Sequence, residues 1–138
     1  MCPLTEVSKQ PDESLAPAGG SEPVILHRND FVLLTDDIEV WLGPIGDISL
    51  LEACRNMTLV HFPDGKLLIR RSLNHCERRL DRSVFFRASR RCIVNLSHVK
   101  RLHVEEGGLV FFFEDGRGVA LSRRQGIIFR KTRDLSYG

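Results

Sequence analysis

The chain has 138 residues, 42% of them hydrophobic, and a formal net charge of +2, which suits a single buried core and is too short for two ordinary domains. No apolar run approaches the roughly 20 residues of a membrane-spanning helix. The opening Met1-Cys2-Pro3-Leu4-Thr5-Glu6 has neither the basic nor the apolar region of a secretory signal, so the cytoplasm is the expected location and membrane insertion is not expected.

The charge is unevenly placed. Residues 1–27 hold Glu6, Asp12, Glu13 and Glu22 against Lys9, a net −3, which leaves +5 on the remaining 111 residues. From Lys66 to Arg101 there are eleven Lys or Arg against Glu77 and Asp81. A basic stripe on a nearly neutral protein calls for a localised anionic partner.

In chain order, 1–27 is expected to be an acidic, linker-like tail. Its first 23 residues hold Pro3, Pro11, Pro17, Pro23 and the run Ala18-Gly19-Gly20-Ser21, and bury too little apolar area to offset ordering entropy. The domain is expected over 28–138. Short β-leaning runs follow at Phe31–Leu34 and Ile38–Leu42, then a break at Gly43-Pro44-Ile45-Gly46-Asp47, then Ile48–Cys54. Met57–Phe62 and Lys66–Arg70 flank a Pro63-Asp64-Gly65 turn. Ser72 caps a predicted helix over Leu73–Leu80. Val99–Val104 and Leu109–Phe113 flank Glu105-Glu106-Gly107-Gly108, and Gly118–Leu121 is a further strand. Ser122 caps a last helix from Arg123 to about Arg133, with Ile127, Ile128 and Leu135 as its apolar positions. Five-residue strands punctuated by Gly and Asp predict a mainly antiparallel β domain with two helices.

Residues 85–96, Phe-Phe-Arg-Ala-Ser-Arg-Arg-Cys-Ile-Val-Asn-Leu, are the most informative stretch. A strand of this content buries Phe, Ile and Val while holding guanidinium groups out at one end, which suits a polyanion better than a core. Arg87, between Phe86 and Ala88, is expected to be an internal ion-pair partner. Asn95 is expected to satisfy a turn. Arg78, Arg79 and Arg82 fall on the polar side of the first helix. Cys54, Cys76 and Cys92 are expected as small, reduced, buried side chains.

Catalytic chemistry finds little support. No GxGxxG, Walker loop, HExxH or GxSxG pattern occurs. His75 and Cys76 are adjacent and, on a helix, point to different faces, which defeats chelation and a nucleophile–base pair alike. Neither an enzyme nor a metal or cofactor is expected.

In this order the blocks Asp47-Ile48-Ser49-Leu50-Leu51-Glu52-Ala53 with Arg55-Asn56, Arg71-Ser72-Leu73 through Glu77-Arg78-Arg79-Leu80, Phe86 through Leu96, and Val119-Ala120-Leu121-Ser122-Arg123-Arg124 resemble the LytTR-type DNA-binding domain over residues 31–135. The family usually carries a His-Arg-Ser-like triplet where this chain has Ser89-Arg90-Arg91, so its half-site preference is not carried over. The resemblance implies an elongated antiparallel β-sheet domain with one short helix mid-chain and one C-terminal helix. It also implies a bacterial transcription regulator whose loops enter successive major grooves of duplex DNA. Matched residue by residue, it makes Asn56, Arg90 and Arg124 candidates for base contacts. Arg55, Ser89, Arg91, Ser122 and Arg123 become phosphate or supporting contacts. Two copies on direct-repeat half-sites, pairing on DNA, are implied as well.

The residue chemistry fits this assignment. An arginine fork matches O6 and N7 of guanine, and Asn pairs bidentately with adenine. Ser122 at a helix start is placed to meet a phosphate. Two other readings stay open: a protein-interaction or autoinhibited regulatory module with a protein partner for its acidic tail, and an RNA-binding β domain. No RNP-like or KH signature supports the latter.

Overall fold

Neighbouring residues of a strand point to opposite faces, and in the middle of this chain both faces are apolar, so the central sheet must be covered on each side. A computed structural model describes residues 24–36 and 38–136. The tail expected over 1–27 lies, up to residue 23, outside the described residues.

The elements are β1 (Phe31–Thr35), β2 (Val40–Pro44), β3 (Leu50–Cys54), β4 (Met57–Phe62), β5 (Gly65–Ile69), α1 (Leu73–Arg79), β6 (Phe85–Ser89), β7 (Cys92–Asn95), β8 (Val99–Glu105), β9 (Gly108–Phe113), β10 (Gly118–Ala120) and α2 (Arg123–Arg133). They form three antiparallel sheets: β1-β2, a central β5-β4-β3-β7-β6, and β10-β9-β8. The predicted mainly β, antiparallel architecture with two helices is therefore observed. Among the described residues no helix is long and apolar enough to cross a membrane.

Alternation divides the core in two. Leu51, Phe85 and Ile93 face α1 and the inner side of the β1–β2 hairpin, where they join Leu34, Ile45, Val60 and Leu80. Their neighbours Leu50, Phe86 and Val94 face the opposite way and pack on Phe111, Phe113 and Val119 of the three-stranded sheet. The β1–β2 hairpin is anchored by one face alone: Val32, Leu34 and Trp41 turn inward and Trp41 stacks on Phe62 at 4.5 Å. Its outer face exposes Phe31, Leu33, Val40 and Leu42.

Both predicted helix caps are present. Ser72 Oγ accepts from His75 N at 3.1 Å, and Ser122 Oγ accepts from Gln125 N at 3.2 Å. Three expectations need correction. Residues 85–95 form a two-stranded hairpin instead of one strand. The last helix anchors through Phe129, edge-on to Phe86 at 5.1 Å and Phe111 at 5.2 Å, whereas Ile127, Ile128 and Leu135 are exposed. Cys76 is buried as expected, but Cys92 is only half-buried and Cys54 is exposed, because it ends β3 beside a turn that leaves the sheet.

Asn95 does more than satisfy a turn. Fully buried, it donates to the carbonyls of Gly46 (3.1 Å) and Ile48 (2.8 Å) and accepts from Ser97 N at 2.8 Å. It thus locks β7 to the turn before β3.

The entry of the chain is held by His27, whose Nδ1 meets Asp81 Oδ2 at 3.0 Å. That hydrogen bond raises the His27 pKa above 6.5 and, with help from Ser83, lowers that of Asp81 from 3.8 to about 2. The His27 contribution to stability is complete below pH 6.5 and fades as pH rises through its raised value. The Asp81 contribution is complete above pH 3.8 and fades as pH falls toward 2. Asp81→Asn should therefore lower the thermal midpoint most between about pH 4 and 6.5. The gap from the parent should narrow above that window, as a melting series across pH will record.

Candidate nucleic-acid interface

Antiparallel pairing of β3 with β7 puts the C-terminal end of one beside the N-terminal end of the other. Cys54 pairs with Met57, leaving Arg55 and Asn56 as a two-residue turn, and Ser89 pairs with Cys92, leaving Arg90 and Arg91 as another. Ala53 N donates to the Arg91 carbonyl at 2.8 Å, so the two turns lie side by side at one end of the central sheet. Ser122 N donates to the Ala88 carbonyl at 2.9 Å, which sets the start of α2 against the end of β6. Three segments from different parts of the chain therefore form one row: the Arg55-Asn56 turn, the Arg90-Arg91 turn and the first turn of α2.

Along that row Arg55, Asn56, Arg90, Arg91, Arg123 and Arg124 are exposed. Among the described residues no side-chain hydrogen bond or ion pair engages any of them. Arg55 sits at φ 60, in the left-handed region that side-chain-bearing residues seldom occupy. Such backbone strain costs on the order of 1–3 kcal/mol and gathers at functional sites.

Ser89 and Ser122 are half-buried and have structural work. Ser89 Oγ accepts from Arg91 N at 3.1 Å inside the turn, and Ser122 is the α2 cap.

Arg87 is the internal partner expected, with a larger part than one ion pair. Its guanidinium reaches Glu77 at 2.7 Å and Asn74 at 3.0 Å on α1, and donates to the carbonyls of Ser89 (2.7 Å) and Arg90 (3.0 Å). The arginine turn lacks the Gly or Asn that two-residue hairpins favour, so Arg87 supplies its rigidity from behind. Arg87→Ala should lower the unfolding free energy by about 1–3 kcal/mol, because Glu77 loses a charge-assisted partner. Amide exchange at Arg90 and Arg91 should accelerate, which hydrogen-exchange mass spectrometry would resolve.

The helix arginines divide. Arg78 and Arg82 are exposed, while Arg79 is half-buried and donates from Nε to the Val24 carbonyl at 2.7 Å. Glu52, on β3, is held by His61 Nε2 at 2.8 Å. Arg117 donates to the other ring nitrogen at 3.2 Å, so Nε2 carries the proton.

One neighbour was not foreseen. The β8–β9 turn, Glu106-Gly107, emerges at the same end as the start of α2, since Leu121 N donates to the Leu109 carbonyl at 2.9 Å. Both turn residues have positive φ, 49 and 83, the geometry Gly allows. Glu105 and Glu106 face Arg123 and Arg130 across a groove of about 650 Å3. The row is thus basic through its length and acidic at one flank.

Among the described residues no three His, Cys, Asp or Glu are grouped to hold a metal ion.

Comparison with known proteins bears on the family and the fold. The family described as LytTr DNA-binding domain matches residues 39–132. Among solved structures, the LytTr DNA-binding domain of a Bacillus cereus protein described as a methyl-accepting/DNA response regulator aligns with a TM-score of 0.69. It covers 76% of this chain and 97% of its own at 24% identity, a likeness of fold. No curated protein matches.

Proposed function

Because the chain belongs to the LytTr DNA-binding domain family, we propose that it is the output domain of a transcription regulator that reads specific duplex DNA through the row of turns at one end of its central sheet. Asn56, Arg90 and Arg124 contact base edges in the major groove. Arg55, Arg91 and Arg123 contact flanking phosphates, supported by Ser89 and Ser122. Two copies occupy direct-repeat half-sites on one face of the duplex.

The observation that carries this reading is the pair of backbone hydrogen bonds, Ala53 to Arg91 and Ser122 to Ala88, that bring three exposed basic segments together. Buried or ion-paired arginines would serve the fold. These are exposed and, among the described residues, nothing engages their forks, as bidentate base or phosphate contact requires. The acidic β8–β9 turn repels phosphates at one flank and so limits how the row can sit on a duplex.

Selection of bound sites from a random duplex library, followed by affinity measurement at several salt concentrations, tests the proposal. A repeated motif should emerge. If about six phosphates are neutralised, log K should fall against log salt with a slope near −5. A library that yields no motif, or preference for single-stranded RNA at equal salt, would refute it. A footprint covering one half-site at full affinity would remove the paired arrangement.

A further inference from the structure

A strand pair that is apolar on both faces needs cover on both, and β1–β2 is covered on one. In its register Phe31 pairs with Pro44, Leu33 with Leu42 and Thr35 with Val40, and these pairs alternate with the inward-facing Val32, Leu34 and Trp41. Phe31, Leu33, Val40 and Leu42 are 64%, 56%, 65% and 64% exposed, and among the described residues nothing covers them. They present on the order of 400 Å2 of contiguous apolar side chain, a size at which a patch on a monomeric protein is often a binding face.

We propose that this face pairs with the same face of a second copy of the chain, hairpin on hairpin, the tip of each over the base of the other. A two-fold axis across the strands sets Leu33 against Leu33 and Leu42 against Leu42. It lays the large Phe31 of one copy over the small Thr35 of the other, so the layer between the sheets keeps an even thickness. The other axis, along the strands, stacks tip on tip. Bulky Phe31 and Pro44 would then meet at one end and slimmer Thr35 and Val40 at the other, leaving a wedge. It would also bring together Asp36 and Glu39 of both tips, like charges across an interface. With tip over base these acids approach the exposed Arg28 ahead of β1, where Asp30 is already engaged by the His27 amide at 2.9 Å.

Because each copy uses the same face, the assembly closes at two. Two such faces with their rims bury about 1,200 Å2, the lower end for a specific complex, so the dissociation constant should lie in the micromolar range.

The hairpin tip lies at the DNA-facing end of the central sheet. Thr35 and Asp36 border the same depression as Ile69, and Ile69 pairs with Thr58, just past the Arg55-Asn56 turn. A tip-over-base pair therefore turns its two basic rows to opposite ends and can hold two duplex segments at once. This is a different association from that on direct repeats, where both copies point the same way. The consequence for DNA rests on the DNA-binding reading above, whereas the pairing does not.

Sedimentation velocity on the full chain tests the pairing. Between about 1 and 200 μM the mass should rise from 15.7 kDa toward twice that and no further. Leu33→Glu and Leu33→Lys, each setting like charges against each other at the axis, should each weaken pairing at least about tenfold. An equimolar mixture of the two should pair again, a recovery that misfolded chains could not give. A single chain at every concentration overturns the proposal. Recovery of Leu33→Glu by Leu42→Lys but not by Leu33→Lys overturns the arrangement, since only the tip-on-tip axis sets Leu33 against Leu42. Once duplex binding is established by itself, an immobilised selected duplex should retain a second, labelled duplex through the parent chain. Leu33→Glu should lose that retention while still binding one duplex. No retention by the paired parent, or retention unaffected by Leu33→Glu, overturns the opposed rows.

Discussion

Replacing Asn95 by leucine is expected to lower the unfolding free energy by about 2–4 kcal/mol, although leucine is apolar and of similar shape. Asn95 is fully buried, and its side chain is the partner of two groups that leucine cannot serve, the Ile48 carbonyl and the Ser97 amide. A buried polar group stripped of its partner costs about 1–3 kcal/mol. The Gly46 carbonyl is less exposed to this loss, because His98 Nε2 also reaches it at 2.8 Å. The cost should therefore fall mainly on the junction between β7 and the segment before β3. A loss of this size should shift the thermal midpoint by about 10 °C or more. Denaturant unfolding followed by the fluorescence of Trp41, the sole tryptophan, will measure it. Asn95→Ala, which adds a cavity to the same orphaned groups, should cost at least as much. A change below about 0.5 kcal/mol, typical of surface positions, would show that Asn95 does not lock the two segments.

Asn95 also shows how far sequence carries. Its position after Ile93-Val94 marks it as structural, but its partners Gly46 and Ile48 lie nearly fifty residues away, and nothing local encodes them. Features set by local chemistry were legible: both serine caps, the Pro63-Asp64 and Glu106-Gly107 turns, and most strands, placed within a residue or two. The hairpin over 85–95 was not resolved from a single strand because Arg90-Arg91 carries no turn chemistry; the turn exists through Arg87, which draws on α1. Phe129 was missed as the anchor of α2 because helical spacing singles out Ile127 and Ile128 equally well. Only the open face of Phe86 and Phe111 decides which side turns inward. The residues of the basic row could be named from sequence, through the family resemblance. That they share one end of the molecule depends on the β3–β7 register and on a single bond from Ser122. The acidic flank at Glu105-Glu106 follows from the same packing, and its sequence signal, a charged hairpin turn, says nothing of what lies beside it.

Arg90→Ala and Arg124→Ala should each weaken binding to the selected duplex by roughly 5- to 150-fold, the equivalent of about 1–3 kcal/mol for a bidentate base contact. Binding to random duplex should fall only by the share of one charge. Both side chains are exposed and, among the described residues, unengaged, so unfolding free energies should stay within about 0.5 kcal/mol of the parent. Loss of affinity without loss of stability is the signature required. Lysine replacements separate the two ways an arginine can bind. Lysine keeps the charge and loses the planar fork, so Arg90→Lys should preserve the salt slope while surrendering most preference for the selected sequence. Arg91→Lys, at a position assigned to phosphate, should change neither by much. Because Arg90 lies on a hairpin turn and Arg124 on a helix, they can contact different base pairs, and their losses should add when combined. Equal weakening of selected and random duplexes by either alanine variant would assign that arginine to the backbone. If both behaved so, the source of sequence preference would have to lie in Asn56 or in the shape of the DNA.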